Sequence, residues 1–205
     1  MSQTPPTIAE YRAALQSFQS ARLRRDHADL AADPQYAQIA EFFFEEIYGA
    51  RDFSRRDGQA QRLSQFVGLA PGVMVRDIEQ VLDLLELTNQ LDDDLAHALL
   101  DRRAGLDFDE AAYERAYREA DALDARARQI ELVRGALYNV YQLSRRPFFD
   151  LAIGRAGPIA ELAGMGDIYR FLRAGYLGIK PVKDIHRFVE TICVREQLRL
   201  ERIYH

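Results

Sequence analysis

Three carboxylates stand where helical projection puts apolar residues: Glu46, Asp92 and Glu196. At about 100° per residue, Glu46 falls between Phe42 and Phe43, at the edge of a face drawn by Tyr36, Ile39, Phe43 and Ile47. Asp92 projects into the middle of the stripe Val81, Leu85, Leu99, with Asn89 beside it, and Glu196 aligns with Ile185, Ile192 and Ile203. Arg199 shares that last face, Arg195 flanks it, and Tyr141 projects inward from another helix. A charge withdrawn from water is costly unless it is paired, so these six residues form a candidate buried polar cluster. Two chemistries fit it. One is an ion-pair network that fixes helix register; the other is convergence of carboxylates on a metal or small polar ligand, as in di-iron bundles. The second wants Glu-x-x-His pairs on two helices. The nearest string, Asp94 to His97, projects away from the apolar stripe, and His186 with Glu190 faces outward as well. The expectation is a paired cluster with no metal and no cofactor, and a carboxylate-rich metal- or small-ligand-binding enzyme is the alternative.

A second candidate site lies between two helices, at Tyr48, Asp52, Arg55, Arg56 and Asp57. Its charges nearly balance, Asp52 and Ser54 suit helix caps, and Phe53 suits a staple onto the core. A ligand would instead use Arg55 or Arg56 to grip an anion near a helix amino terminus. Elsewhere the chemistry is thin. His27 and His97 sit among charged residues and read as surface histidines, and Cys193 reads as a buried small hydrophobe. No Ser/His/Asp or Cys/His arrangement carries a local signature. The glycines from Gly154 to Gly166 match no phosphate-binding string and follow no strand.

The elements that must position these residues are helices, because apolar residues recur at three and four while strand alternation is nearly absent. The fold class that follows is all-α: a single domain spanning residues 1–205, a bundle of about seven or eight helices. Thr7 and Glu10 form a capping-box pattern ahead of Ile8, Tyr11, Leu15 and Phe18. Asp33 with Pro34 opens a second helix that reaches Tyr48 and stops at Gly49. Ser54 with Asp57 starts a third, ending near Val67. The fourth carries Ile78, Val81, Leu82, Leu85, Leu95 and Leu99 on one face, with Gly105 beyond its end. Asp109 to Arg145 is helical as one element or two. Prolines and glycines from Pro147 to Gly166 cut the next stretch into short pieces, a helix follows around Asp167 to Tyr176, and Pro181 starts the last one.

Length and a hydrophobic content of 48% allow a full-sized core. The net charge of −5 is mixed along the chain, which disfavours nucleic acid and offers no polybasic membrane patch. No apolar run approaches the roughly 20 residues of a bilayer span. With one cysteine and no secretion-signal pattern, the expected location is cytoplasmic. Three successive phenylalanines, Phe42 to Phe44, fan over about 200°, more than one core face takes easily. Phe44 is expected to be left over and to seek a second copy, making a homodimer.

The strings FFFEEIYGARDFSRRD, ELTNQLDDDLAHAL and FVETICVREQLRLERIY resemble those of an uncharacterised bacterial all-helical family. The matching positions are Phe43, Glu46, Tyr48, Gly49, Asp52, Phe53, Arg56, Asp57, Leu91, Asp92, Arg195 and Glu196. The resemblance covers most of the chain and implies no activity. The functional expectation is a non-enzymatic helical protein whose role is self-association or binding of a protein partner.

Overall fold

The computed structural model describes residues 5–47, 58–60 and 75–205, and everything described is helix or its connections. The candidate loop residues Tyr48, Asp52, Arg55, Arg56 and Asp57, and the expected third helix except its residues 58–60, lie outside the described residues. Among the described residues there are nine α-helices and one π-helical turn, so the fold is all-α. No described helix is long and apolar enough to cross a membrane.

The chain starts α1 (Ile8–Asp26) with a full capping box: Glu10 N–H donates to Thr7 Oγ1, and Thr7 N–H donates to the Glu10 carboxylate at 2.7 Å. The helix expected to open at Asp33 and Pro34 starts at Ala37 instead. Gln35 N–H donates to Asp33 Oδ1 at 2.9 Å, an Asx turn that uses the Asp33 side chain inside the turn. It separates α2 (Ala28–Ala32) from α3 (Ala37–Phe42). α3 then widens into a π turn, Phe43–Ile47. The wider turn changes the angle between successive residues, so Phe43 and Phe44 are both fully buried while Phe42 stacks on Phe171 with ring centroids 5.3 Å apart. Phe44 is therefore not left over, which corrects the expectation built on a uniform helical pitch.

α4 (Val75–Asp101) is the longest helix, followed by α5 (Glu110–Glu119), whose cap Asp109 accepts from Ala112 N–H at 2.8 Å. Asp121, at φ 45°, turns the chain into α6 (Leu123–Ser144), so Asp109 to Arg145 is two helices. The stretch expected to be fragmented is instead one helix, α7 (Phe149–Leu162), with Pro158 inside it. Pro158 and Gly154 are both exposed, so the carbonyl that loses its partner there is open to water. After α8 (Gly166–Ile179), the last helix α9 (His186–Tyr204) begins five residues beyond Pro181, where Asp184 Oδ1 accepts from His186 N–H.

α4 and α6 form the central pair; α1 and α5 pack on α4, and α9 and α8 on α6. α8 also lies on α3 so closely that a Cβ on Gly178 would sit 3.3 Å from Gln38 O and Ile39 Cα, and one on Gly175 would sit 2.9 Å from the Phe42 ring. In an open helix Gly to Ala gains about 1 kcal/mol. Here the facing backbone has no flexible end to yield, so Gly178→Ala is expected to lower the urea midpoint, and a raised midpoint would refute the close approach.

Candidate functional site

Two apolar clusters share the interior. One joins Tyr11 and Leu15 of α1 to Leu95 and Leu99 of α4 and Tyr113 of α5. The other joins Leu23, Phe43, Leu85, Val133, Val189 and Ile192, among others. Along α1 the order is Leu15, then Gln19 and Arg22, then Leu23; along α4 it is Leu85, then Thr88 and Asp92, then Leu95. The polar residues thus form a layer between the clusters, completed by Arg126 and Gln129 of α6 and by Glu196 and Arg199 of α9.

Within the layer each charge has a partner. Arg22, 5% exposed, donates from Nη1 to Glu196 Oε1 at 2.5 Å. The same oxygen lies 3.1 Å from Nε2 of His27, which is fully buried at the end of α1. Gln19 donates to Asp92 Oδ1 at 3.2 Å. Arg126 donates to Gln129 Oε1 and to the Leu91 carbonyl at 3.0 Å, lies over the Tyr117 ring at 4.6 Å, and Gln129 in turn donates to Thr88 at 2.8 Å. Toward solvent, Arg199 pairs with Glu110 and with Asp26.

The two central carboxylates are pulled in opposite directions. Burial pushes the Asp92 carboxyl up, only partly opposed by the charge of Arg126 and the Gln19 hydrogen bond. Burial also acts on Glu196, but the Arg22 charge and the bonds from His27 and Arg22 outweigh it and hold that group down at about 2. Burial raises the Tyr113 hydroxyl as well, against Arg22, Arg126 and Arg199. It pushes the thiol of Cys193, packed in the core at 0% exposure, up to about 12.

Of the sequence candidates, Asp92, Glu196 and Arg199 enter this layer. Arg195 does not: it reaches outward to Asp29 at 2.7 Å and to the Asp26 carbonyl. Tyr141 lies at the far end of α6, donating to the Lys183 carbonyl under the Arg145 guanidinium, and Glu46 is half-buried on the π turn. The expectation of a surface His27 is overturned: it is buried, because the chain turns there from α1 to α2 and carries the ring against Glu196 of α9. The charge that pairs with Glu196 comes from Arg22 of α1, while Arg195 and Arg199 of its own helix pair with other acids. Arg22, Gln19, Arg126 and Gln129 were missed by projection. Their signal was present in the stripes Leu15–Gln19–Arg22–Leu23 and Arg126–Gln129–Val133–Ala136, where polar residues occupy core positions. Among the described residues no three His, Cys, Asp or Glu side chains gather as a metal site.

A cavity of about 40 Å³ lies inside the layer, and Glu196 and Arg199, which line it, also line an open surface groove of about 830 Å³. The pairing chemistry has a pH signature. A carboxylate lowered from 4.5 to about 2 contributes stability that is fully present above pH 4.5 and is lost as pH falls through about 2. At neutral pH this amounts to about 3 kcal/mol. Glu196→Gln is expected to cost about that much at pH 7 by stranding the buried Arg22 charge, and to lose stability far less steeply than the parent between pH 4.5 and 2. Parallel acid limbs in urea titrations would contradict it.

No curated protein and no solved structure shows a significant match to this chain. A family model described as "Domain of unknown function (DUF8198)" matches residues 1–205. The chain, whose described residues fold entirely as helices and their connections around a buried polar layer, therefore belongs to that family of unknown function over residues 1–205.

Proposed function

We propose that this protein, a single all-α domain, is a non-enzymatic self-associating module and that α7 is the face on which a second copy docks. The observation that carries this is the burial of α7. Its 14 residues bury only Gly157 and Ala160, while Phe148, Leu151, Ile159 and Leu162 are 83, 50, 68 and 90% exposed. A helix in water is normally held by the apolar face it buries, and this one turns its apolar stripe outward. Its other side is fastened to α8: the Tyr169 hydroxyl donates to the Ile153 carbonyl at 2.9 Å, Phe149 packs on Tyr176 with centroids 5.2 Å apart, and Lys180 pairs with Asp150 at 2.6 Å. Phe148 itself is held at φ 64°, a conformation a bulky side chain rarely adopts, and this sets an aromatic ring at the edge of the stripe.

The stripe is symmetric about Arg155. Phe148 and Leu162 stand seven residues to either side, Leu151 and Ile159 four. Antiparallel pairing of two α7 helices about a twofold axis at Arg155 therefore sets Phe148 against the partner's Leu162 and Leu151 against the partner's Ile159, the reciprocity an isologous contact requires. The two Arg155 charges meet at the axis and oppose it. A helix about 21 Å long also covers less than the roughly 800 Å² per partner of a standard interface, so the expected dimer is weak, in the micromolar range. The surface differs from the Phe44 face first expected to drive dimerisation.

Sedimentation velocity across 1 to 200 μM is expected to show a concentration-dependent shift from the 23.5 kDa monomer toward twice that mass. Leu162→Glu should abolish the shift without altering the circular dichroism spectrum, and Arg155→Leu should tighten the dimer about tenfold or more. A monomer at all concentrations, or a dimer indifferent to both changes, would overturn the reading. A monomer that binds a different protein through α7 would replace it with a heterologous partner.

A further inference from the structure

We infer that the cavity within the polar layer is a binding site for a small oxyanion that retains a hydrogen, of the size and chemistry of hydrogencarbonate. The hydrogen-bond demands of its wall point to that ligand. Gln19, Arg22 and Arg199 all line the cavity, and each keeps one buried atom without a partner: Gln19 Oε1, Arg22 Nε and Arg199 Nε. Arg22 uses Nη1 on Glu196 and Asp26, and Arg199 uses its two Nη groups on Asp26, Glu110 and Glu114, so in both it is the Nε–H that is left over. A buried N–H with no acceptor costs about 1–3 kcal/mol. Two such donors with one carbonyl acceptor are satisfied together by a molecule that offers oxygen lone pairs on one side and a hydroxyl on the other.

The cavity's own lining favours an anion over a neutral molecule, because the acids that pair with Arg199, namely Asp26, Glu110 and Glu114, line the outer groove and not the cavity. Arg22, Arg126 and Arg199 line the cavity with Glu196 as the one lining carboxylate, and that carboxylate already accepts from Arg22 and lies against His27. Guanidinium groups are also the side chains best shaped to hold planar oxyanions. Size limits the choice further: about 40 Å³ holds only a few water-sized groups, which admits a very small ion and excludes sugars and nucleotides. Glu196 and Arg199 line both the cavity and the surface groove, so the groove is the side from which an ion would approach. This site involves none of the residues of α7 and does not depend on self-association.

The test is calorimetric titration and thermal melting of the full chain with sodium hydrogencarbonate, phosphate, acetate and chloride at matched pH and ionic strength. Hydrogencarbonate is expected to bind saturably and raise the melting temperature, acetate to bind at least tenfold more weakly because it has no hydroxyl to give Gln19, and chloride to have no specific effect. Arg199→Lys keeps the charge and removes the Nε–H, and should weaken hydrogencarbonate at least tenfold. Gln19→Met, of similar volume, should bring hydrogencarbonate down to the affinity of acetate, and serves if Arg199→Lys does not fold. Equal responses to all four anions would overturn the inference. So would binding untouched by either variant, or a high-resolution crystal structure grown in hydrogencarbonate with only water in the cavity.

Discussion

The bond between Arg22 and Glu196 is the constraint around which the other helices arrange themselves. Neither partner stands alone: the guanidinium sits among core side chains of α1, and the carboxylate is drawn from α9, at the opposite end of the sequence. Withdrawing such charges from water is unfavourable enough that the pair tolerates little slippage. A shift of α9 by one residue along its axis turns Glu196 away by about 100° and strands Arg22. The same logic repeats around the layer, where Asp92 depends on Gln19 and Arg126 on the Leu91 carbonyl. Apolar surfaces alone are tolerant of sliding; this layer makes one arrangement of α1, α4, α6 and α9 much better than its neighbours.

The π turn at Phe43–Ile47 answers a different demand. Three aromatic rings in succession exceed what one face of a regular helix takes in, and the wider turn resolves this by burying two and laying the third on α8. There the glycines at 175 and 178 leave room for the Phe42 ring and for the α3 backbone. Arg24 then lies over Phe44 and pairs with Glu41 and Glu45 on the solvent side. A local irregularity in one helix, two missing side chains in another and a basic residue in a third are thus one packing solution.

The sequence makes the all-α class and most helix positions legible, because three-and-four spacing and end signals such as Thr7 with Glu10, or Asp109, are local. Asp92 and Glu196 are legible for the same reason: a single carboxylate in an apolar stripe contradicts its surroundings. Arg22 is harder, since Arg24 and Arg25 beside it make the segment read as the basic end of a helix favoured by its dipole. His27 depends on the direction the chain takes after α1, which no pattern within α1 encodes. The unbroken run of α7 through Pro158 is hidden because proline and glycine are normally breakers, and only the exposure of Gly154 explains why the break does not occur. The sequence separation of 174 between Arg22 and Glu196 puts their pairing beyond any reading of local periodicity.

The division of the interior into two apolar clusters has a kinetic side. The amino-terminal half of α1, the carboxyl-terminal half of α4, and α5 share one cluster, and the polar layer stands between it and the rest. Groups that pack among themselves more than with the remainder open as units, and a layer of hydrogen-bonded side chains yields to entering water more readily than a continuous hydrocarbon contact does. The smaller cluster is therefore built to unlatch ahead of the larger one, with amide protons of α5 exchanging through partial openings that leave α6 and the first turns of α9 folded.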